Sequence, residues 1–199
     1  MTRPILVVPG LNGSGEGHWQ RFLLEDFDEA QLVDQADWSN PEAERWQERL
    51  EEAIAANPGA IIVAHSLGTM LAARLAQSSV ASLVGGALLV APADIERTSA
   101  LHARSYEFGR IPTEALPFPS LVVASRDDVY MSLDKAVSLA KSWQAPLVDV
   151  GYAGHINVAS GFGRWVQGYE LVRQVAERID RGKQRPHQAA STQAQLRPF

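Results

Sequence analysis

The fold of this chain is decided by the stretch Ile61-Ile62-Val63-Ala64-His65-Ser66-Leu67-Gly68-Thr69. Its first half is a β-branched apolar run, typical of a strand that is buried on both faces, and its second half opens a helical pattern. A strand turns into a helix within so few residues only where small side chains flank the bend. Ala64 and Gly68 supply that room on either side of Ser66, which leaves the serine hydroxyl exposed above the sheet.

A serine on such a bend has two interpretations. It is the place where α/β-hydrolases keep their nucleophile, although their full pattern has glycine at both flanking positions and Ala64 departs from it. Alternatively, Ser66 is a core-strand serine that caps the next helix. The five-residue motif does not separate the two, so the remaining chain must decide.

Composition narrows the classes of protein that fit. A chain of 199 residues with 46% hydrophobic residues suits one packed α/β domain. The absence of cysteine excludes disulfides, thiolate metal sites and a cysteine nucleophile. A net charge of −5 argues against nucleic acid as a partner, because no basic excess exists to neutralise phosphates.

The apolar segments are too short for a signal peptide or a membrane span. We therefore expect a soluble, cytoplasmic protein without a membrane partner. The sequence leaves the oligomeric state open.

Strand-like and helix-like segments alternate, which predicts a mostly parallel, six-stranded, doubly wound sheet with helices on both faces. The predicted strands are 5–8, 30–34, 60–64, 86–90, 120–124 and 146–150. The predicted helices are 18–25, 41–56 (with Pro41 at its first position), 67–77, 133–143 and 163–181. The sequence pattern over residues 91–119 predicts a helix followed by a loop that prolines stiffen. The domain is expected to cover 1–181, and the tail 182–199 is expected to be disordered.

An exposed serine needs a histidine to take its proton, and His155 is favoured among the five histidines. It lies in the segment Gly154-His155-Ile156-Asn157 after the last predicted strand, where a loop can lean over the serine. His65 adjoins Ser66 and points elsewhere, His187 lies in the tail, and His102 has no carboxylate placed to orient it. His18 opens the first helix and is interpreted as structural or pocket-lining.

The histidine in turn needs an acid, and both Asp127 and Asp128 follow a strand in the chain order of hydrolases. Their spacing leaves the choice between them open. The oxyanion of a tetrahedral intermediate needs two donors. We expect the backbone N–H of Leu67, at a helix N-terminus, and that of Leu11, with Asn12 as the next choice for the second donor.

The glycine-rich loop over residues 9–17 also resembles phosphate-binding loops. The Walker pattern fails because Glu16 stands where the lysine would follow Gly15, and the dinucleotide pattern fails on glycine spacing. If the second strand lies at the sheet edge, this loop and Ser66 face the same crevice.

Taken together, the chain resembles the small serine hydrolases of the retinoblastoma-binding protein 9 and YdeN type over about residues 5–181. The shared motifs are Pro9-Gly10-Leu11, His18-Trp19-Gln20, Asp37-Trp38, Ala64-His65-Ser66-Leu67-Gly68, Ser125-Arg126-Asp127-Asp128 and Gly154-His155-Ile156-Asn157. The resemblance implies an α/β-hydrolase fold without a separate lid domain, and hydrolysis of esters or related acyl compounds without cofactor or metal. It points to Asp128 as the acid, although Val129 replaces the proline that usually follows, which keeps Asp127 as an alternative.

We therefore predict a serine hydrolase that forms an acyl-enzyme at Ser66 and acts on a small-molecule acyl substrate. Its pocket is predicted to include Asn12, His18, Trp19 and Asn157. For the last three residues, a role in packing or in fixing a loop fits the sequence equally well. Two alternatives are a non-catalytic interaction protein on a hydrolase scaffold, and a phosphate- or nucleotide-binding protein that uses the 10–17 loop.

Overall fold

A computed structural model describes the backbone of residues 3–194 and the side chains of residues 3–182. Six strands and six helices alternate along this part of the chain. The strands are β1 (Ile5–Val8), β2 (Ala30–Leu32), β3 (Ile61–His65), β4 (Gly86–Val90), β5 (Ser120–Ala124) and β6 (Leu147–Asp149). The helices are α1 (Trp19–Asp26), α2 (Ala43–Ala56), α3 (Leu67–Arg74), α4 (Ile95–Leu101), α5 (Leu133–Ser142) and α6 (Val166–Ala194). Short 3-10 turns lie at Leu75–Gln77, Ala81–Leu83 and Val158–Ser160.

The strands form one sheet in the order β2-β1-β3-β4-β5-β6, and its five neighbouring pairs are parallel. The order reverses at β1, which pairs with both β2 and β3. Ligand crevices in open α/β sheets lie at such a switch point, beyond the carboxyl ends of the strands. The predicted doubly wound sheet is therefore confirmed, and β2 is the edge strand that the prediction required.

Alternate residues of the strands supply two separate cores, one on each face of the sheet. In β3, Ile61 and Val63 belong to the core that includes residues of α1 and α6, whereas Ile62 and Ala64 belong to the core that includes residues of α2, α3 and α5. Burying an Ile or Val side chain contributes roughly 1.5–3 kcal/mol to the free energy of folding. The central strands are thus a rigid platform for the loops at their carboxyl ends.

The segment between β4 and β5 is part of the domain. After α4 it runs without regular structure, and Phe108, Leu116 and Phe118 are buried in the core on the α2 side. The expected helix and loop are both present, and the segment forms no separate lid domain.

Helix α2 begins at Ala43, so the prediction that it begins at Pro41 is wrong. The Asp37 side chain accepts hydrogen bonds from the backbone N–H groups of Ser39 (2.8 Å) and Asn40 (3.1 Å). This turn precedes an extended N-cap residue, Glu42, with φ −108° and ψ 114°. The local turn therefore delays the helix by two residues.

Helix α6 continues to Ala194, past the predicted end of the domain at residue 181. Residues 195–199 and the side chains beyond residue 182 lie outside the described part. The disordered tail over 182–199 and the domain boundary therefore stay predictions. Among the described residues, no helix is both long and apolar enough to cross a membrane.

Candidate active site

Ser66 stands on the bend between β3 and α3 with a strained backbone. Its φ of 55° and ψ of −123° are rare for a residue with a side chain and cost roughly 1–3 kcal/mol. The Ser66 N–H donates to the carbonyl of Val90 (3.1 Å), and the Ser66 carbonyl accepts from the N–H (3.0 Å) and hydroxyl (2.7 Å) of Thr69. These bonds hold the bend, and Ser66 lines a cleft at the carboxyl edge of the sheet.

Two glycines let the loop after β1 approach this bend. A Cβ on Gly68 would lie 2.2 Å from the carbonyl oxygen of Val8. A Cβ on Gly10 would lie 2.7 Å from the Cβ of Ser66 and 2.9 Å from the backbone nitrogen of Leu67. Both positions therefore exclude any side chain. Ala64, by contrast, points into the core and is fully buried there, so its methyl group fits where the hydrolase pattern has glycine.

The structure brings Ser66, His155 and Asp128 together from the ends of β3, β6 and β5. His155 Nε2 lies 2.8 Å from Ser66 Oγ, and His155 Nδ1 lies 2.8 Å from Asp128 Oδ2 and 3.0 Å from Oδ1. Asp128 and His155 are only 6% and 8% exposed. The N–H of Tyr130 also donates to Asp128 Oδ1 (2.8 Å), so the carboxylate is fixed at both oxygens.

Asp127 has different partners from its neighbour. Its Oδ1 accepts from the hydroxyl of Ser125 (2.7 Å) and from the N–H of Gly154 (2.8 Å). These hydrogen bonds, the one from Ser125 first, lower the pKa of the Asp127 carboxyl. Asp127 therefore anchors the loop that carries His155, whereas Asp128 contacts the imidazole itself.

The backbone around His155 is strained and tightly held. Gly154 and Ile156 have φ values of +54° and +49°, and the latter is unusual for a β-branched residue. The N–H of His155 donates to Ser160 Oγ (3.1 Å), and the indole N–H of Trp19 donates to the carbonyl of Ile156 (2.9 Å). The strain persists because side chains hold the loop on both sides of His155.

His65 and His18 continue this arrangement as a row of imidazoles. The ring centroids of His65 and His155 are 4.9 Å apart, as are those of His18 and His65. His65 Nε2 lies 2.9 Å from the carbonyl oxygen of His155, so this nitrogen carries the proton and donates it. Burial, then the charges of His155 and His18, hold the pKa of His65 well below its ordinary value. His65 is therefore a neutral donor that holds the loop of His155.

Two backbone N–H groups beside Ser66 are free to bind an anion. The N–H of Leu67 is in the first turn of α3, where no intrahelical acceptor exists. Within the described chain, the N–H of Leu11 likewise donates to no protein atom. The N–H of Asn12, the next choice from sequence, donates to the carbonyl of Trp38 (2.8 Å) and is not free.

A family model described as serine hydrolase matches residues 5–174. The chain belongs to the serine hydrolase family. This serine hydrolase is 25% identical over 173 residues to the hydrolase YdeN of Bacillus subtilis (strain 168), covering 81% of the present chain and 90% of YdeN.

Solved structures agree with this assignment. A YdeN-like hydrolase from Pectobacterium atrosepticum is 32% identical, covers 89% of this chain and 92% of its own, and superposes with a TM-score of 0.78. An esterase from Pyrococcus furiosus is only 13% identical, covers 90% and 82% of the two chains, and shares the fold with a TM-score of 0.65. The protein is therefore a YdeN-type serine hydrolase with the α/β-hydrolase fold.

The cleft of the hydrolase above Ser66 has a volume of about 200 Å³. Asn12, His18 and Asn157, three of the four predicted pocket residues, line it. Asn157 also fixes the turn behind His155, because its Oδ1 accepts from the N–H (3.1 Å) and hydroxyl (3.0 Å) of Ser160.

The prediction that Trp19 lines the pocket is wrong. Trp19 is 0% exposed and packs edge-on against Trp165, with ring centroids 5.4 Å apart. It begins α1, and the inner face of that helix points to the core of the hydrolase instead of the cleft. Its contribution to the site is indirect, through the hydrogen bond to Ile156.

Three further side chains line the cleft of the hydrolase and were not predicted from the sequence, namely those of Thr98, His102 and Tyr130. His102 Nδ1 lies 2.7 Å from the hydroxyl of Tyr106, and its Nε2 lies 3.2 Å from that of Tyr130. The Tyr130 ring packs on His155 with centroids 4.5 Å apart. The four-residue spacing of Thr98 and His102 is a signal for one helix face that could have paired them.

Proposed function

We propose that this hydrolase cleaves a carboxylic ester or a related acyl bond through an acyl-enzyme on Ser66. The observation that carries the proposal is the 2.8 Å separation of His155 Nε2 and Ser66 Oγ, with the opposite ring nitrogen 2.8 Å from Asp128. A serine hydroxyl becomes a strong nucleophile only when a positioned base removes its proton. This geometry meets that requirement without any movement of the chain.

In the first half of the reaction, His155 Nε2 takes the proton of Ser66 as Oγ bonds to the substrate carbonyl carbon. The carbonyl oxygen becomes an oxyanion, which the N–H groups of Leu11 and Leu67 stabilise. One such donor is worth roughly 10²–10³ in turnover. Collapse of the intermediate breaks the bond to the alcohol, which leaves with the proton from His155.

In the second half, His155 takes a proton from water, and the resulting hydroxide attacks the acyl carbon on Ser66. The acid is released, and His155 returns the proton to Oγ. Throughout, Asp128 accepts the Nδ1–H of His155, which fixes the tautomer and stabilises the imidazolium. A cleft of about 200 Å³ suits a small acyl substrate.

The two alternatives have less support. A non-catalytic interaction protein would leave the hydrogen-bonded series Ser66–His155–Asp128 without a use. A phosphate site in the 10–17 loop would need a basic side chain to neutralise the phosphate, but residues 9–17 include no lysine or arginine, and Glu16 is acidic. Two of its backbone N–H groups, those of Asn12 and Gly13, also already donate to the carbonyls of Trp38 (2.8 Å) and Gly10 (3.0 Å).

The test is labelling with a fluorophosphonate probe, together with hydrolysis of a p-nitrophenyl ester. We expect labelling and turnover in the wild type, loss of labelling in Ser66→Ala, and a decrease in kcat of roughly 10⁴-fold or more. Ser138→Ala, which removes an exposed hydroxyl on α5, is the matched control and should keep both. Folded wild-type protein that the probe does not label would favour the interaction protein, and a nucleotide-induced rise in Tm would favour the phosphate site.

A further inference from the structure

His18 has one ring nitrogen that the protein uses and one that it leaves free. It is the N-cap of α1, and its Nδ1 accepts a hydrogen bond from the N–H of Gln20 (3.2 Å). An accepting Nδ1 carries no proton, so in the neutral ring the proton is on Nε2. Among the described residues, no atom accepts a hydrogen bond from this Nε2–H.

The free N–H is on a residue that lines the cleft. His18 is only 6% exposed, and it lines the same cleft as Ser66 and His155. Its Nε2 is not among the described side-chain atoms that are enclosed by protein without a partner. Because this Nε2 has no partner and is not enclosed, it is accessible from outside the protein, and the cleft that His18 lines is the space in which a substrate must lie.

The surroundings keep His18 neutral, which suits a donor at this place. Burial, then the charge of His155, lowers the pKa of His18 to about 4. A neutral imidazole donates a hydrogen bond to a substrate oxygen without repelling the imidazolium that forms on a neighbouring base. One imidazole ring therefore has two functions. Its Nδ1 caps α1, and its Nε2–H is left for a substrate in the cleft.

We propose that His18 is a substrate-binding residue whose Nε2–H donates to an oxygen that the substrate carries in addition to its ester group. The preferred substrates are then short esters with an ether, hydroxyl or carbonyl oxygen near the scissile bond, instead of purely hydrocarbon esters. The cleft agrees with this class, because most of its lining side chains are polar. The inference rests on the proposed function of Ser66.

The test uses pairs of esters that differ only by an oxygen in place of a methylene group. In the acyl group, p-nitrophenyl methoxyacetate is compared with p-nitrophenyl butyrate. In the alcohol, 2-methoxyethyl butyrate is compared with butyl butyrate. The ratio of kcat/KM within each pair is compared between variants, which removes the intrinsic difference in reactivity of the two esters.

His18→Asn is the informative variant, because asparagine also caps a helix but lacks a donor at the position of Nε2. We expect it to lower the oxygen-to-methylene ratio roughly three- to tenfold in one of the two pairs, which identifies the side of the ester that His18 contacts. Ser132→Asn is the matched control. Ser132 caps α5 by accepting from the N–H of Lys135 (3.4 Å) and does not line the cleft, so its change to another capping residue should leave both ratios unchanged.

Failure of this inference is distinguishable from failure of the proposed function. One outcome overturns the role of His18 alone. In it, the fluorophosphonate probe labels the wild type and the esters are hydrolysed, but His18→Asn has the same two ratios as the wild type. The proposed role of Ser66 then stands. If the folded wild type is neither labelled nor active on any of the four esters, both proposals are overturned. A melting curve confirms that His18→Asn is folded in either case.

Discussion

The indole N–H of Trp19 donates a 2.9 Å hydrogen bond to the carbonyl of Ile156, the residue that directly follows His155. Trp19→Phe keeps the aromatic ring in the core and removes the donor. We expect the free energy of unfolding to fall by about 1–3 kcal/mol, because the buried carbonyl loses its partner. We also expect kcat to decrease roughly tenfold or more with little change in KM, because the imidazole is less well held.

The control for this prediction is Trp165→Phe, which changes the neighbouring indole. Within the described residues, the Trp165 N–H donates to no atom, so its loss should leave kcat near the wild-type value. Denaturant unfolding and steady-state kinetics measure both effects. Equal values of kcat in the two variants would show that the hydrogen bond to Ile156 does not position His155.

Asp127 and Asp128 form a second matched pair. Asp128→Asn keeps the volume of the side chain but favours the wrong tautomer of His155, so kcat should fall by roughly 10⁴-fold. Asp127→Asn retains an oxygen that can accept from Gly154 and Ser125, so its kcat should stay within about tenfold of the wild type. Ester hydrolysis under matched conditions checks both, and a larger loss in Asp127→Asn would reverse the assignment.

Gly10 is the position where a methyl group should affect the oxyanion donors most directly. In Gly10→Ala the new Cβ would lie 2.7 Å from the Cβ of Ser66 and 2.9 Å from the nitrogen of Leu67. We expect kcat to fall by at least the roughly 10²–10³-fold that one oxyanion donor is worth. Gly15→Ala, in the same loop, is the control, because nothing lies within 4 Å of its added Cβ. Comparable activity in the two variants would contradict the crowding at Gly10.

The stability of the protein should fall as the pH decreases below about 6.5. Burial, and then the charge of His155, holds the pKa of His18 at about 4, so the unfolded chain binds a proton that the folded protein does not. From about pH 7.5 to 5.5, His18 alone should lower the free energy of unfolding by about 1 kcal/mol. The loss continues to about pH 4, where the folded protein also takes up the proton.

Urea unfolding of the wild type and His18→Asn at several pH values measures this effect. The window above about pH 5.5 lies outside the range in which Asp and Glu carboxyls titrate. The variant should show a shallower decrease than the wild type. Identical slopes would mean that His18 is not held neutral by the fold.

The fold was predictable because its signals are local and strong. The β-branched run before Ser66 identifies a buried central strand, and the alternation of strands and helices determines a parallel sheet. The ends of the helices were harder to predict from the sequence. The turn at Asp37, which delays the start of α2, depends on side-chain hydrogen bonds that residue propensities do not include.

The site was predictable only in part. The spacing of the adjacent aspartates left the acid open, and the family resemblance pointed to Asp128. In the structure Asp128 contacts the imidazole, whereas Asp127 anchors the loop, a role that the sequence did not indicate. Trp19 was misplaced because a core indole and a pocket indole look alike in sequence. His102 and Tyr130 were missed because they approach the cleft from separate segments, which tertiary packing alone brings together.

The sheet order has a consequence for how activity responds to partial denaturation. Ser66 follows the central strand β3, whereas Asp128 and His155 follow β5 and β6, which end the sheet on the side opposite β2. Outer elements of a domain detach at lower free-energy cost than its centre. Local unfolding of β5 and β6 would separate Ser66 from His155 while most of the secondary structure is retained. At low denaturant concentrations, ester turnover should therefore be lost before the far-ultraviolet circular dichroism signal. Loss of activity would then measure the unfolding of β5 and β6 separately from that of the rest of the sheet.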